Sequence, residues 1–104
     1  MGMETVLKAI ADQRRREILR LVWSQERSAG EIASHFAVSR PAISQHLGVL
    51  ESAGLIAERR EGTRRLYRAC PERVAELRAF LEEFWDDQLW LLKQAAETAA
   101  EEES

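Results

Sequence analysis

The most informative stretch of the chain reads Ser39-Arg40-Pro41-Ala42-Ile43-Ser44-Gln45-His46-Leu47. Ser39 is a preferred N-cap residue, and Pro41 fits the first turn of a helix, where its missing N–H does no harm. Apolar residues at helical spacing predict a buried stripe. They are Ile43, Leu47 and Leu50. The stretch therefore predicts a recognition helix over residues 39–53, the second helix of a helix-turn-helix.

The opposite face of this predicted helix is polar, and no acidic residue occurs between positions 39 and 50. The side chains that contact base edges in the major groove lie in the first turns of a recognition helix. Arg40 can bridge the two acceptors of guanine, Gln45 can pair with adenine, and serine hydroxyls suit phosphate oxygens. A functionless surface helix explains these residues singly but not the acid-free face. The residues predicted to contact DNA are Ser39, Arg40, Pro41, Ser44, Gln45 and His46.

Residues 55–69 predict a β-hairpin, the wing. Leu55–Arg60 and Arg64–Ala69 have the composition of strands, and Glu61-Gly62-Thr63 separates them. Five arginines flank the tip, and we expect Glu61 to be the only acid there. The arginines are Arg59, Arg60, Arg64, Arg65 and Arg68. Arginines on a narrow protrusion can contact phosphates or a minor groove. The alternative is an edge hairpin whose charges only prevent sheet aggregation, but acidic residues would serve that purpose equally well. The five arginines therefore favour a DNA-binding wing.

Apolar periodicity and capping residues predict the remaining helices. Asp12 is a good N-cap for a second helix, and Ser28-Ala29-Gly30-Glu31 is the S-x-x-E capping box of a third. Pro71 opens a last helix over residues 71–100, whose broad apolar stripe exceeds what so small a domain buries alone. A homodimer through the first and last helices is the simplest solution. Its predicted interface comprises Met3, Val6, Leu7, Ile10, Leu77, Phe80, Leu81, Phe84 and Trp85.

Length, composition and charge limit the classes of function. A chain of 104 residues has room for one domain over residues 1–104. It has no run of about 20 apolar residues and no secretory signal, so we expect no membrane contact and a cytoplasmic location. Residues 1–70 hold 12 Lys and Arg against 8 Asp and Glu, whereas residues 71–104 hold 3 against 10. A basic front and an acidic tail fit a protein whose front meets phosphates.

Several chemistries find no support in the sequence. Cys70 is the only cysteine, so neither an internal disulfide nor a cysteine metal site is predicted. The chain has two histidines and no Gly-rich phosphate loop or catalytic constellation, so we predict no enzyme, no cofactor and no metal.

The order of elements predicts a mainly α fold with a small β-hairpin, α-α-α-α-β-β-α, which is a winged helix-turn-helix. The chain resembles the ArsR/SmtB family of bacterial transcriptional repressors in Ala9-Ile10-Ala11-Asp12, in Ser39-x-Pro41-x-Ile43-Ser44-x-His46-Leu47, in Ala53-Gly54-Leu55-Ile56 and in Arg59-Arg60-Glu61-Gly62. The resemblance implies a homodimer that binds an imperfect inverted repeat in double-stranded DNA. It also implies contacts from Ser39, Arg40, Ser44 and Gln45 in the helix and from Arg60, Thr63, Arg64 and Arg65 in the wing.

The chain departs from the family pattern at the positions where other members sense metal ions. Metal-sensing members place cysteines in the helix that here reads Glu31–Phe36, and other members place histidines in the last helix, where this chain has none. The Phe84-Trp85 pair is similar to the metal-independent branch. We therefore predict a metal-independent dimeric repressor. A protein-interaction module such as an antirepressor is the alternative, and an unidentified small-molecule effector near Trp85 and Trp90, or a thiol sensor at Cys70, stays open.

Overall fold

The computed structural model describes residues 2–103, and its elements follow the predicted order with one added strand. The helices are α1 (Met3–Ile10), α2 (Gln13–Leu21), α3 (Ala29–Ser34), α4 (Arg40–Ser52) and α5 (Pro71–Glu103). The strands are β1 (Arg27–Ser28), β2 (Ile56–Glu61) and β3 (Arg64–Ala69). This mainly helical architecture with a small antiparallel sheet confirms the predicted winged helix-turn-helix.

The predicted capping residues begin α2 and α3. The Asp12 carboxylate accepts from the Arg15 backbone N–H at 3.1 Å. In the capping box, the Ser28 hydroxyl accepts from the Glu31 N–H at 3.1 Å, and the Glu31 carboxylate accepts from the Ser28 N–H at 3.3 Å. Each cap satisfies backbone donors that have no partner within the first turn.

The sheet has three strands in the order β1-β3-β2, and both pairs are antiparallel. Strand β1 was not predicted, because two residues are too few to show an alternating pattern. β2 begins at Ile56, one residue later than predicted, and continues to Glu61, so the loop is Gly62-Thr63 alone. Gly62 has φ +65°, and a positive φ at the first of two loop residues is what a type II′ hairpin requires.

The end of α4 is fixed by Gly54, as the sequence predicted. Gly54 has φ +78°, and its N–H donates to the Glu51 carbonyl at 2.9 Å. The Leu55 N–H donates to the Leu50 carbonyl at 3.0 Å. This pair of bonds is a Schellman motif, which satisfies the last carbonyls and turns the chain directly into β2.

The core is formed by apolar side chains of the four N-terminal helices and the wing. The largest fully buried ones are Val6, Ile18, Val22, Ile32, Ile43, Leu50, Leu55 and Ile56. Val6 has 0% exposed surface. It is therefore a core residue of the chain, and its assignment to a dimer interface is corrected, whereas Met3, Leu7 and Ile10 on the same helix are half-buried.

The chain divides into two compact units, one up to Val74 and one from Ala75 onward. The first holds α1 to α4 and the sheet. The second is the remainder of α5, which runs three residues further than predicted and exposes many large apolar side chains. They are Phe80, Leu81, Phe84, Trp85, Leu89, Trp90, Leu91 and Leu92. A single domain over residues 1–104, of which 1 and 104 lie outside the described residues, stays a prediction. Across residues 2–103, no helix has the length and apolar content of a membrane span.

Candidate nucleic-acid interface

Helix α4 has the two faces that its sequence predicts. Ile43, Leu47 and Leu50 are buried. The Ser39 hydroxyl accepts from the Ala42 N–H at 3.2 Å and so caps the helix. The predicted DNA-contacting residues that are exposed on α4 are Arg40, Pro41, Ser44 and Gln45. The helix therefore presents a polar surface free of acidic residues in its first two turns.

His46 does not belong to that exposed surface. It is half-buried, and Nη1 of Arg15 lies 3.4 Å from its Nδ1. Because a guanidinium only donates, Nδ1 of His46 is the acceptor in this contact. Arg15 also donates to the carbonyls of Ala9, at 2.6 Å, and Lys8, at 3.2 Å. His46 therefore helps to join α4 to α1 and α2, and its contact with DNA stays a prediction.

Four of the five wing arginines form ion pairs with glutamates. Arg59 makes a bidentate contact with Glu26 at 2.7 and 2.8 Å. The Arg64 guanidinium lies 2.9 Å from the Glu31 carboxylate. Glu58 lies 3.5 Å from Arg65 and 3.8 Å from Arg60. The expectation that Glu61 is the only acid near the wing is therefore wrong. Glu58 lies on β2 itself, and the fold brings Glu26 and Glu31 there from 33 positions away.

Two of these carboxylates have a lowered pKa, which favours their charged form. The pKa of Glu31 is lowered by hydrogen bonds from the backbone and side chain of Ser28, and further by the positive charge of Arg64. The hydrogen bond from Arg59 lowers the pKa of Glu26. Burial opposes both shifts. Both groups are ionised at neutral pH, so they partly balance the positive charge of the wing.

An open cleft, which we call the wing cleft, lies between the start of α3, the start of α4 and the hairpin tip. It is lined by Ser28, Ala29, Gly30, Arg40, Thr63, Arg64 and Arg65. Gly30 lies against Arg40: a Cβ at Gly30 would be 3.8 Å from Nη1 of that guanidinium. The structure thus brings the predicted residues of helix and wing together. Residues 28–30 of this lining were not predicted, because their capping pattern already had a structural explanation.

The side chains that could bind a metal or act as a thiol have defined positions in the described part of the fold. No three His, Cys, Asp or Glu side chains among residues 2–102 are grouped so as to hold a metal ion. Cys70 is half-buried, and its N–H donates to the Leu55 carbonyl at 2.8 Å.

An exposed polar second helix beside an arginine-bearing hairpin defines the winged helix-turn-helix class of DNA-binding domain. The profile of the bacterial regulatory proteins of the arsR family matches residues 12–58. The chain is 45% identical over 78 residues to the HTH-type transcriptional regulator Rv2034 of Mycobacterium tuberculosis, covering 75% of this chain and 73% of that protein. It is 47% identical over 60 residues to the transcriptional repressor SdpR of Bacillus subtilis, covering 58% and 67%.

The solved structures that resemble this chain include DNA-binding domains of the same winged helix-turn-helix class. The homodimeric winged helix-turn-helix DNA-binding domain of Mb0332 from Mycobacterium bovis superposes with a TM-score of 0.67 at 39% identity, covering 84% of this chain and 81% of that one. The chain belongs to the ArsR family of bacterial regulatory proteins. It is a transcriptional regulator with a DNA-binding helix-turn-helix, not an enzyme.

Proposed function

We propose that the chain is a homodimeric repressor that binds an inverted-repeat operator and blocks transcription. The observation that carries this proposal is the exposed, acid-free face of α4 beside the arginines of the wing. Positive and polar groups there match the phosphates and base edges of a duplex. SdpR, a relative, is described as a repressor, which supports the direction of regulation. A regulator of bacterial operators acts in the cytoplasm.

Base recognition in this proposal falls to α4. The Gln45 amide can both donate to and accept from the major-groove edge of adenine, and the hydroxyl of Ser44 suits a phosphate or a base edge. Both side chains are exposed. From the wing, Arg60, Thr63, Arg64 and Arg65 contact the backbone. Because such contacts release counterions from the phosphates, the affinity for DNA should fall as the salt concentration rises.

Dimerisation in this proposal uses the exposed apolar face of α5 together with α1. Phe80, Leu81, Phe84 and Trp85 are all exposed in the single chain, and contiguous apolar surface of this kind marks an interface. Leu77, with 7% exposed surface, contributes little of its own. The described homodimeric state of Mb0332 supports the pairing. A symmetric dimer places its two recognition helices in half-sites about 34–36 Å apart.

Regulation in this proposal does not depend on a metal. Helix α3 contains no cysteine, and no histidine follows His46 in the sequence. Cysteine and histidine are the usual ligands of zinc and related ions. DNA binding should therefore be the same in the presence of a chelator and in the presence of added zinc.

The test is footprinting and fluorescence anisotropy with the duplex upstream of the chain's own gene, beside a scrambled duplex of equal length. We expect two protected half-sites, tighter binding to the native duplex, and no effect of chelator or zinc. A reporter joined to the same upstream region should give lower transcription when the protein is present. Dimeric protein that binds no duplex even at low salt would overturn the proposal and favour a protein-interaction module.

A further inference from the structure

The wing cleft gathers three guanidinium groups within one small region of the surface. Arg40 makes no hydrogen bond or ion pair with any residue that the structure describes. Arg64 and Arg65 are exposed, and each has one glutamate partner. A guanidinium presents a planar fork of donors that matches the oxygens of a phosphate. The cleft therefore has the chemistry of a site for a single phosphate group.

Glu31 accepts two hydrogen bonds at the edge of this cleft. The same oxygen, Oε1, accepts from the Ser28 backbone N–H at 3.3 Å and from Nη2 of Arg64 at 2.9 Å. The first bond completes the capping box of α3, and the second neutralises an arginine of the wing. The two bonds differ in one useful respect. The first needs only an acceptor, which glutamine also supplies, whereas the ion pair needs the negative charge.

We propose that the wing cleft binds one backbone phosphate of DNA through Arg40 and Arg64, and that Glu31 competes with this phosphate for Arg64. The proposal rests on the proposed function. It makes Glu31 a positioning residue that sets DNA affinity by holding Arg64 in the free protein. It also assigns Arg40 to the phosphate backbone and not to guanine, and leaves base recognition to residues further along α4.

The exchange of partners explains why the competition lowers affinity. When the phosphate reaches Arg64, the carboxylate of Glu31 loses its ion pair but keeps its hydrogen bond to Ser28. The lost pair is exposed and therefore weak, so its removal should change affinity by a small factor. A glutamine at position 31 has no charge to lose, and its affinity for DNA should be higher by about twofold to fivefold.

The experiment is a double-mutant cycle measured by anisotropy on the full chain with the native duplex. Glu31→Gln, Arg64→Gln and the double variant are compared with the wild type. The gain from Glu31→Gln should largely disappear in the Arg64→Gln background. Glu4→Gln is the control: it changes net charge equally and breaks an exposed ion pair, the 3.6 Å contact with Lys8. It should leave affinity unchanged.

The outcomes separate the inference from the proposed function. An equal gain from Glu31→Gln in both backgrounds would show a general charge effect and overturn the competition. A wild type that binds no duplex would instead overturn the proposed function. Circular dichroism checks that the glutamine variant keeps its helices.

A second variant tests the phosphate site without touching α3. Arg40→Ala should weaken binding to the native and scrambled duplexes by the same factor. It should also reduce the slope of log affinity against log salt by about one. Loss confined to the native duplex would assign Arg40 to base reading and refute the phosphate site.

Discussion

Neighbouring residues of α4 belong to two different faces of the helix. Helical spacing in the sequence separates Ile43 and Leu47, which are buried, from Ser44 and Gln45, which are exposed. His46 lies at the boundary between the two faces and is half-buried. The hydrogen-bond partner of this ring, Arg15, is 31 positions away in the sequence, so the contact itself forms only in the folded chain.

The residue that tests base recognition is Gln45. Gln45→Ala removes a bidentate contact to adenine, so affinity for the native duplex should fall by about 1–3 kcal/mol. Affinity for the scrambled duplex should hardly change, because phosphate contacts remain. Anisotropy titrations on both duplexes measure the two effects. Gln94→Ala, at an exposed position of α5, is the matched control and should alter neither. An equal loss on both duplexes for Gln45→Ala would contradict the assignment.

Among the helices and strands, features that depend on residues close together in the sequence were predicted, whereas features that depend on distant residues were not. The caps at Asp12, Ser28 and Ser39 each involve a backbone N–H three residues later, so the sequence displays them within four positions. Strand β1 and two ion pairs of the wing, Arg59–Glu26 and Arg64–Glu31, depend on contacts across 33 or more positions. Such contacts exist only once the fold has formed, which is why the balanced charge of the wing was not predicted.

The cap of α2 makes a prediction about pH. The hydrogen bond from the Arg15 N–H is the largest effect on the pKa of Asp12 and lowers it. Burial partly opposes this shift, and the positive charge of Arg15 adds to it. A lowered pKa means that the folded state binds this proton less readily than the unfolded state. The resulting stability is present above the ordinary carboxyl pKa, about 4, and is lost as pH falls through the folded value.

Asp12→Asn isolates this effect, because asparagine caps a helix equally well but does not titrate. Between about pH 6 and about pH 2.5, the urea midpoint of the wild type should fall more than that of the variant. Urea unfolding followed by circular dichroism at each pH provides the comparison. Parallel profiles for the two proteins would show that the capping carboxylate does not contribute to acid sensitivity.

For the whole molecule, the sequence correctly indicated that α5 carries more apolar surface than one chain covers. Its periodicity places most of the large apolar side chains along one side of the helix. Trp90 departs from that pattern. It follows Trp85 by five positions, which puts the two rings roughly 140° apart around the helix axis. Trp90 therefore lies on the side that carries Glu83, Asp86 and Asp87.

The two tryptophans make a matched test of the dimer, because they are the same residue type with 61% and 60% exposed surface. Trp85→Glu places a charge in the proposed interface, and burying an unpaired charge is costly, so the variant should sediment as a single chain of 11.9 kDa. Trp90→Glu should remain a dimer. Analytical ultracentrifugation at several concentrations distinguishes the two states. The Trp85 variant should also bind the native duplex more weakly, because its half-sites are then occupied independently. If both variants stay dimeric, or only Trp90→Glu dissociates, then α5 does not pair through the face that contains Trp85.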